Sequence, residues 1–352
     1  MTDISKLQKG SSHLVMGNEA IARGALEAGV AVVTGYPGTP SSEIVESLAA
    51  VDKERNLYVE WSTNEKVAME VAAAASFARL RSMFVCKQNG INVASDFFLH
   101  LAISGIRGGM VIVPCEDPGA LSSINEGDSR HFSRMLEVPL LEPGDFQEAK
   151  DMTRWAFELS EELKLPVMVR SVTRLSHASG NVVFGELPEP DYRAQFSHNG
   201  FILDPDEGII TSMPVDFHHS KQQEKLKKAV ELFESSPFNT YSGPENPELL
   251  VITSSACHLY CREAVHMLDI KERIGLLKLG TTWPLPPGLL ETHLSKADNI
   301  LIVEEVIPFL EENVKILAAE KAATIGIKRF FGKREGRLPG FNELNPDLIA
   351  DA

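Results

Sequence analysis

The chain has 352 residues, with 34 Lys and Arg against 49 Asp and Glu, for a formal net charge of −15. That acidic excess argues against a nucleic-acid surface, which needs clustered Lys and Arg, while 43% apolar and 24% charged residues are the balance of a globular chain of about two domains. No apolar run approaches the roughly 20 residues of a membrane helix, the N-terminus MTDISKLQKG has no apolar signal core, and four cysteines are too few for a disulfide scaffold, so the expected compartment is the cytoplasm.

In chain order, 31–34 (AVVT) reads as a strand, broken by Gly35-Tyr36-Pro37-Gly38-Thr39-Pro40, after which Ser41 or Ser42 can cap a helix. Residues 57–60 make a short strand, 64–79 an Ala-rich helix and 82–86 (SMFVC) a buried strand. A strand at 110–113 (MVIV), a helix at 145–163 and a strand at 167–169 follow. Such alternation predicts an α/β fold with a parallel sheet and helices on both faces. Sheets of this kind hold ligands in the loops beyond their strand C-termini. From 186 to 247 the pattern is irregular apart from a helix at 221–233, and it reads as a long connector. A second α/β unit spans 248–330, with strands at 249–255, 274–280 and 299–305 and a helix at 262–268. A Pro-rich loop (TTWPLPPG) ends its second strand, and a polar, turn-rich tail covers 331–352.

The chemistry-bearing motifs begin with absences: no G-x-x-x-x-G-K-[ST] loop, no H-E-x-x-H and no G-x-S-x-G elbow. Cys257 and Cys261 (CHLYC) lie one helical turn apart, but one pair cannot hold an iron–sulfur cluster, and two small residues at a helix start is the simpler reading. In the 64–79 helix one face carries Val67, Val71, Ala74, Ala75 and Ala78, small enough for another element to approach closely. Glu65 stands at its start, just past a strand end. There it either faces a site or simply favours the helix dipole.

Four long stretches carry a family resemblance: G-Y-P-G-T-P-S-S (35–42), S-T-N-E-K-V-A-M-E-V-A (62–72), C-E-D-P-G-A-L-S-S-I-N-E-G-D-S-R (115–130) and L-P-V-M-V-R-S-V-T-R-L-S-H (165–177). The second unit adds K-L-G-T-T-W-P-L-P (278–286), I-V-E-E (302–305) and F-G-K-R-E-G (331–336). Together they resemble the α subunit of the indolepyruvate:ferredoxin oxidoreductases, members of the 2-oxoacid:ferredoxin oxidoreductases, over roughly residues 12–350. The resemblance implies a thiamine-diphosphate pyrimidine-binding domain over 1–185 and a transketolase C-terminal-like domain over 248–330. It also implies oxidative decarboxylation of an aryl-pyruvate to an acyl-CoA, with electrons passing to iron–sulfur clusters and then ferredoxin. Glu65 would be the catalytic carboxylate against the cofactor's pyrimidine. Tyr36, Pro37, Gly38 and Thr39 would reach the 2-oxoacid, with Thr39 hydrogen-bonding its carboxylate or carbonyl. Gln88, Asn89, Gly90 and Asn92 would meet the cofactor, or else form an ordinary polar turn.

Three departures from the family matter. The chain stops at Ala352, about where the family's third domain would begin. A split form is therefore expected, with Mg²⁺ and the cofactor's diphosphate on one partner chain, iron–sulfur clusters on another, and no metal here. Gly38 stands where many relatives carry a bulkier residue, which would leave room for an aromatic substrate; at Ile124 relatives often place an amide. The run Asn125–Arg130 is expected to shape the site mouth, to form a subunit contact or to be a solvated loop held by Asp128–Arg130 pairing. His131 and His177 read as structural, and Glu304 and Glu305 as interface residues. A non-oxidative two-chain decarboxylase and a non-catalytic scaffold subunit are the competing readings.

Overall fold

A computed structural model describes residues 4–5, 9–196 and 210–352; the connector's 197–209 lie outside them. Strands of the first unit are apolar on both faces, as a sheet covered by helices on each side requires. In Ser82–Lys87, Met83 and Val85 enter one core layer while Phe84 and Cys86 enter the other. The sheet has eight strands. Its order is Thr281–Trp283, Leu140–Leu141, Val167–Val169, Met110–Glu116, Ser82–Lys87, Val32–Gly35 and Tyr58–Trp61, with Ser171–Val172 also paired to Met110–Glu116. All run parallel except Thr281–Trp283. One face is covered by the helices Gly17–Glu27, Ser42–Ala49 and Phe146–Leu163, the other by Glu65–Phe77 and Gln88–Ser104. An antiparallel pair of strands far apart in sequence, Ser12–Met16 with Ser179–Val183, lies apart from the sheet's hydrogen bonding.

The second unit has five strands in the order Thr240–Ser242, Ile274–Lys278, Leu249–Thr253, Asn299–Val303 and Arg329–Phe331, the first of them antiparallel. Helices Pro287–Leu294 and Leu310–Glu320 pack on one face, Cys257–Met267 and Pro346–Ala350 on the other.

Three details differ from the sequence reading. The segment read as a Pro-rich loop contributes Thr281–Trp283 as an edge strand to the first unit's sheet, so the second unit reaches across the expected boundary. The tail is not merely turns: Leu338, Leu344 and Ile349 are buried against Cys257 and Cys261. The connector's helix spans Val215–Glu234 and buries Ala229 and Phe233 in the first core.

The units are also joined by buried charge. Arg130 donates to Asp128, to Glu304 at 2.6 Å and to the carbonyls of Glu305 and Ile307. Arg170 bridges Glu142 and Glu116, and Glu116 also accepts from the Ser129 amide and hydroxyl. The Asp128–Arg130 pairing is present as expected, but its side chains are 0% and 1% exposed, so it is an inter-unit tie rather than a solvated loop.

Candidate active site

The loops at the C-terminal edge of the first sheet converge as its topology demands. Val32–Gly35 delivers the Tyr36–Pro40 turn, Tyr58–Trp61 delivers Ser62 to Glu65, Ser82–Lys87 delivers Gln88 and Gly90, and Met110–Glu116 delivers the loop from Asp117 to Ser129. Glu65 is the first residue of the Glu65–Phe77 helix, and Asn64 caps that helix by accepting from the Val67 amide at 3.0 Å. Capping fixes the direction in which the chain enters the helix and so where Glu65 stands.

Gln88, Asn89, Gly90 and Asn92 are the first turns of a helix, Gln88–Ser104, rather than a polar turn. Gly90 is required there by contact. A Cβ at this position would lie 2.6 Å from Glu65 Cγ, 3.1 Å from its Oε1 and 2.7 Å from Cys86 Cβ. Glu65 therefore lies directly over the helix start, half-buried in this chain rather than enclosed. Burial pushes the Cys86 thiol well up, with the Cys115 thiol and the Glu65 charge adding to it, so Cys86 is a neutral wall and not a nucleophile. Gln88 is 4% exposed, yet neither its amide oxygen nor its nitrogen has a hydrogen-bond partner. Asn89 is half-buried beside it, and Asn92, a turn further on, is exposed. The structure thus brings Glu65, Gln88 and Gly90 together and leaves Asn92 outside the group.

In the turn, Tyr36, Pro37 and Thr39 are exposed at the mouth. The turn is held by Ser41 Oγ donating to the Gly38 carbonyl at 2.7 Å and by Ser42 Oγ accepting from the Gly38 amide at 3.0 Å. The room expected beside Gly38 is already taken. A Cβ there would meet the Lys87 Cβ at 3.1 Å, so the lysine stem packs on the glycine.

Two contributors were not visible in the sequence. Lys87 lies between the turn and the 117–129 loop, its Nζ donating to the Ser122 carbonyl at 3.1 Å. Asp117 organises that loop, accepting from the Ser122 amide and hydroxyl, from Ser123 Oγ at 2.6 Å and from Thr173 Oγ1 at 2.8 Å. Burial alone would raise the Asp117 carboxyl, but these donors outweigh it and hold it below the ordinary range. The available signals were that Lys87 adjoins Gln88 and that Asp117 lies within the 115–130 stretch. His177 lies 3.4 Å from Glu43, and His131 packs edge-on to Phe309. Ile124 is 99% exposed. Cys257 and Cys261 are buried inside a helix, and no cluster among the described residues could hold a metal.

The family described as pyruvate flavodoxin/ferredoxin oxidoreductase, thiamine diphosphate-binding, matches residues 23–233. The chain belongs to this family. It is 43% identical to the indolepyruvate oxidoreductase subunit IorA of Thermococcus kodakarensis over 93% of this chain and 50% of that protein. Against IorA of Methanothermobacter thermautotrophicus the identity is 39%, over 100% of this chain and 56% of that protein. The chain thus spans about half the length of the curated relatives it matches. Among solved structures, the 2-oxoglutarate:ferredoxin oxidoreductase of Magnetococcus marinus superimposes with a TM-score of 0.74 at 15% identity, covering 97% of this chain and 64% of that one. A split-gene transketolase matches with a TM-score of 0.61 at 14% identity, over 96% of both chains. At such identities these two establish the shared α/β architecture.

The described residues fit the pyrimidine end of thiamine diphosphate. A carboxyl with no Cβ between it and the helix start, and a buried amide with both polar atoms unpartnered, are the donor and acceptor set an aminopyrimidine would use.

Proposed function

We propose that this chain is the pyrimidine-binding subunit of a thiamine-diphosphate-dependent oxidoreductase that decarboxylates an aryl-pyruvate such as indolepyruvate to its acyl-CoA. The observation that carries this reading is the position of Glu65, over Gly90 and beside the unpartnered Gln88, in a chain 43% identical to an indolepyruvate oxidoreductase subunit. Thiamine diphosphate held there would supply a nucleophilic carbon for the 2-oxoacid carbonyl and an electron sink for the pair left behind when carbon dioxide departs. This chain's part is to hold and share a proton at the Glu65 carboxyl against the pyrimidine ring. Gln88 and Asn89 orient that ring, while Tyr36, Pro37, Gly38 and Thr39 border the substrate.

The assembly and compartment belong to the same proposal. The outward side of the Glu65–Phe77 helix leaves Val67 and Val71 half-buried and Ala74 exposed, and the adjacent helix exposes Val93 and Leu99. A partner chain carrying Mg²⁺ and the diphosphate site covers this apolar side, and another carries the iron–sulfur clusters that reduce ferredoxin. The units 1–185 and 248–330, joined by 186–247 and closed by 331–352, form the scaffold. No described helix is long and apolar enough to cross a membrane, and we place the complex in the cytoplasm.

The test is Glu65→Gln in the complex that co-purifies with this chain. The expected result is a loss of at least about 100-fold in kcat for acceptor reduction with phenylpyruvate or indolepyruvate, with complex assembly intact. Full activity in the variant would favour a scaffold role. Aldehyde formation without acceptor reduction in the unaltered complex would favour the non-oxidative decarboxylase.

A further inference from the structure

The proposed substrate is an anion, and the chain is strongly acidic, with a net charge of −15. A 2-oxoacid therefore needs a local cation to enter this edge of the sheet. Most cations bordering the edge are already engaged: Lys66 with Asp96 at 2.8 Å, Arg130 with Asp128 and Glu304, and Arg174 with Glu343 at 2.8 Å. Lys87 differs. Among the described residues no carboxylate lies within ion-pair reach of it, and its ammonium, which has three donors, makes a single hydrogen bond, to the Ser122 carbonyl.

Its surroundings are built. Gly38 admits the lysine stem, since a Cβ there would lie only 3.1 Å from Lys87 Cβ, which ties Lys87 to the Tyr36–Pro40 turn, and Asp117 holds Ser122 in place from the other side. Lys87 is also the N-cap of the Gln88–Ser104 helix, a helix of 17 residues whose start has no side-chain cap. The helix dipole at that start therefore adds to the lysine's positive field. Gln88, buried and unpartnered at both amide atoms, is the next residue.

We infer that Lys87 anchors the carboxylate of the 2-oxoacid, between the Tyr36–Pro40 turn and the Ser122 carbonyl, with Glu65 across the helix start serving the cofactor. This assignment rests on the function proposed above. It makes Lys87 a substrate-recognition residue, and it makes Gly38 the position that admits its stem rather than a void for an aromatic ring.

The test uses the co-purified complex with Lys87→Met, which keeps the stem and loses the charge, and Lys87→Arg. The KM for phenylpyruvate should rise about 10- to 100-fold in Lys87→Met with kcat changed less than about threefold, and Lys87→Arg should recover most of the loss. Thiamine diphosphate affinity, read by titration of intrinsic fluorescence, should be unchanged. Independently of turnover, phenylpyruvate should protect Lys87 from acetic anhydride, measured by mass spectrometry, and the neutral analogue phenylacetone should not. An unchanged KM, equal protection by the two compounds, or a loss of cofactor affinity in Lys87→Met would each overturn the assignment, the last by making Lys87 a cofactor residue. If the unaltered complex neither binds nor turns over any aryl-2-oxoacid, the functional reading falls with it; turnover that ignores Lys87 refutes the carboxylate anchor alone.

Discussion

Glu305 carries its carboxyl almost wholly out of water, where its Oε1 accepts one hydrogen bond, from the Leu344 amide of the tail. Burial pushes its pKa up from 4.5 to about 7, with the Leu344 bond and the charges of Arg170 and Arg130 only partly opposing this. Between those two values the native chain keeps a proton that the unfolded chain has released. Stability is therefore full below the lower value, falls as pH rises through the window and is level above it. Urea unfolding of the isolated chain at pH 5 and pH 8 should show this loss, at most about 3 kcal/mol, and Glu305→Gln should remove most of it. Equal losses in both chains would assign the titration to another group. At the same scale, Glu65 was readable from its place after a strand and before an Ala-rich helix. Its contact with Gly90 was not, because the two follow strands that flank Val32–Gly35 on either side and meet only across that strand's end.

At the scale of the element, the Glu65–Phe77 helix shows where periodicity stops informing. The face Val67, Val71, Ala74, Ala75 and Ala78 looked like the packing face, yet the buried side chains are Ala68, Met69, Ala72, Ala73 and Ser76. With alanine on nearly every side, hydrophobicity selects no face, and the choice falls to the sheet and the Gln88–Ser104 helix beside it. That second helix was hidden for a related reason. Gly90 and Asn92 are poor helix formers in its first turns, and only the closeness of Glu65 explains the glycine. The sequence reading started this helix at residue 64, whereas the structure makes Asn64 its N-cap and Glu65 its first residue. Asn64→Ala should cost about 1 kcal/mol in urea unfolding and speed amide exchange at Glu65 to Ala68, while Asn64→Asp should retain the protection. Unchanged exchange in Asn64→Ala would mean that neighbouring contacts alone hold the helix start.

Across the whole molecule, the two units are held together by the Thr281–Trp283 strand and by Arg130, which ties Asp128 in the first to Glu304 in the second. Glu304 does double duty, since its carboxylate also accepts from the Phe309, Leu310 and Glu311 amides at the start of the Leu310–Glu320 helix. Arg130→Met leaves two buried carboxylates without their ion-pair partner and should destabilise by about 3–5 kcal/mol. Combining it with Asp128→Asn and Glu304→Gln should recover part of that, because the penalty comes from unpaired charge rather than from the lost contact. Urea unfolding, with protease sensitivity between the units as a second readout, checks both. A triple variant no more stable than Arg130→Met would place the cost in packing around the Phe309 ring, 5.4 Å from the guanidinium.

By itself the sequence determined the α/β class, most strands of both sheets, the Glu65 position and the family. Runs of apolar residues, helix caps and long ungapped motifs are local signals, written in consecutive residues. It did not determine that the Pro-rich segment after 280 adds a strand to the other unit's sheet, that Asp128 and Arg130 are buried between units, or that Lys87 fills the space beside Gly38. Those facts depend on residues 49 (Gly38 and Lys87), 140 (Leu141 and Thr281) and 174 (Arg130 and Glu304) positions apart meeting, and only the packed fold sets such meetings.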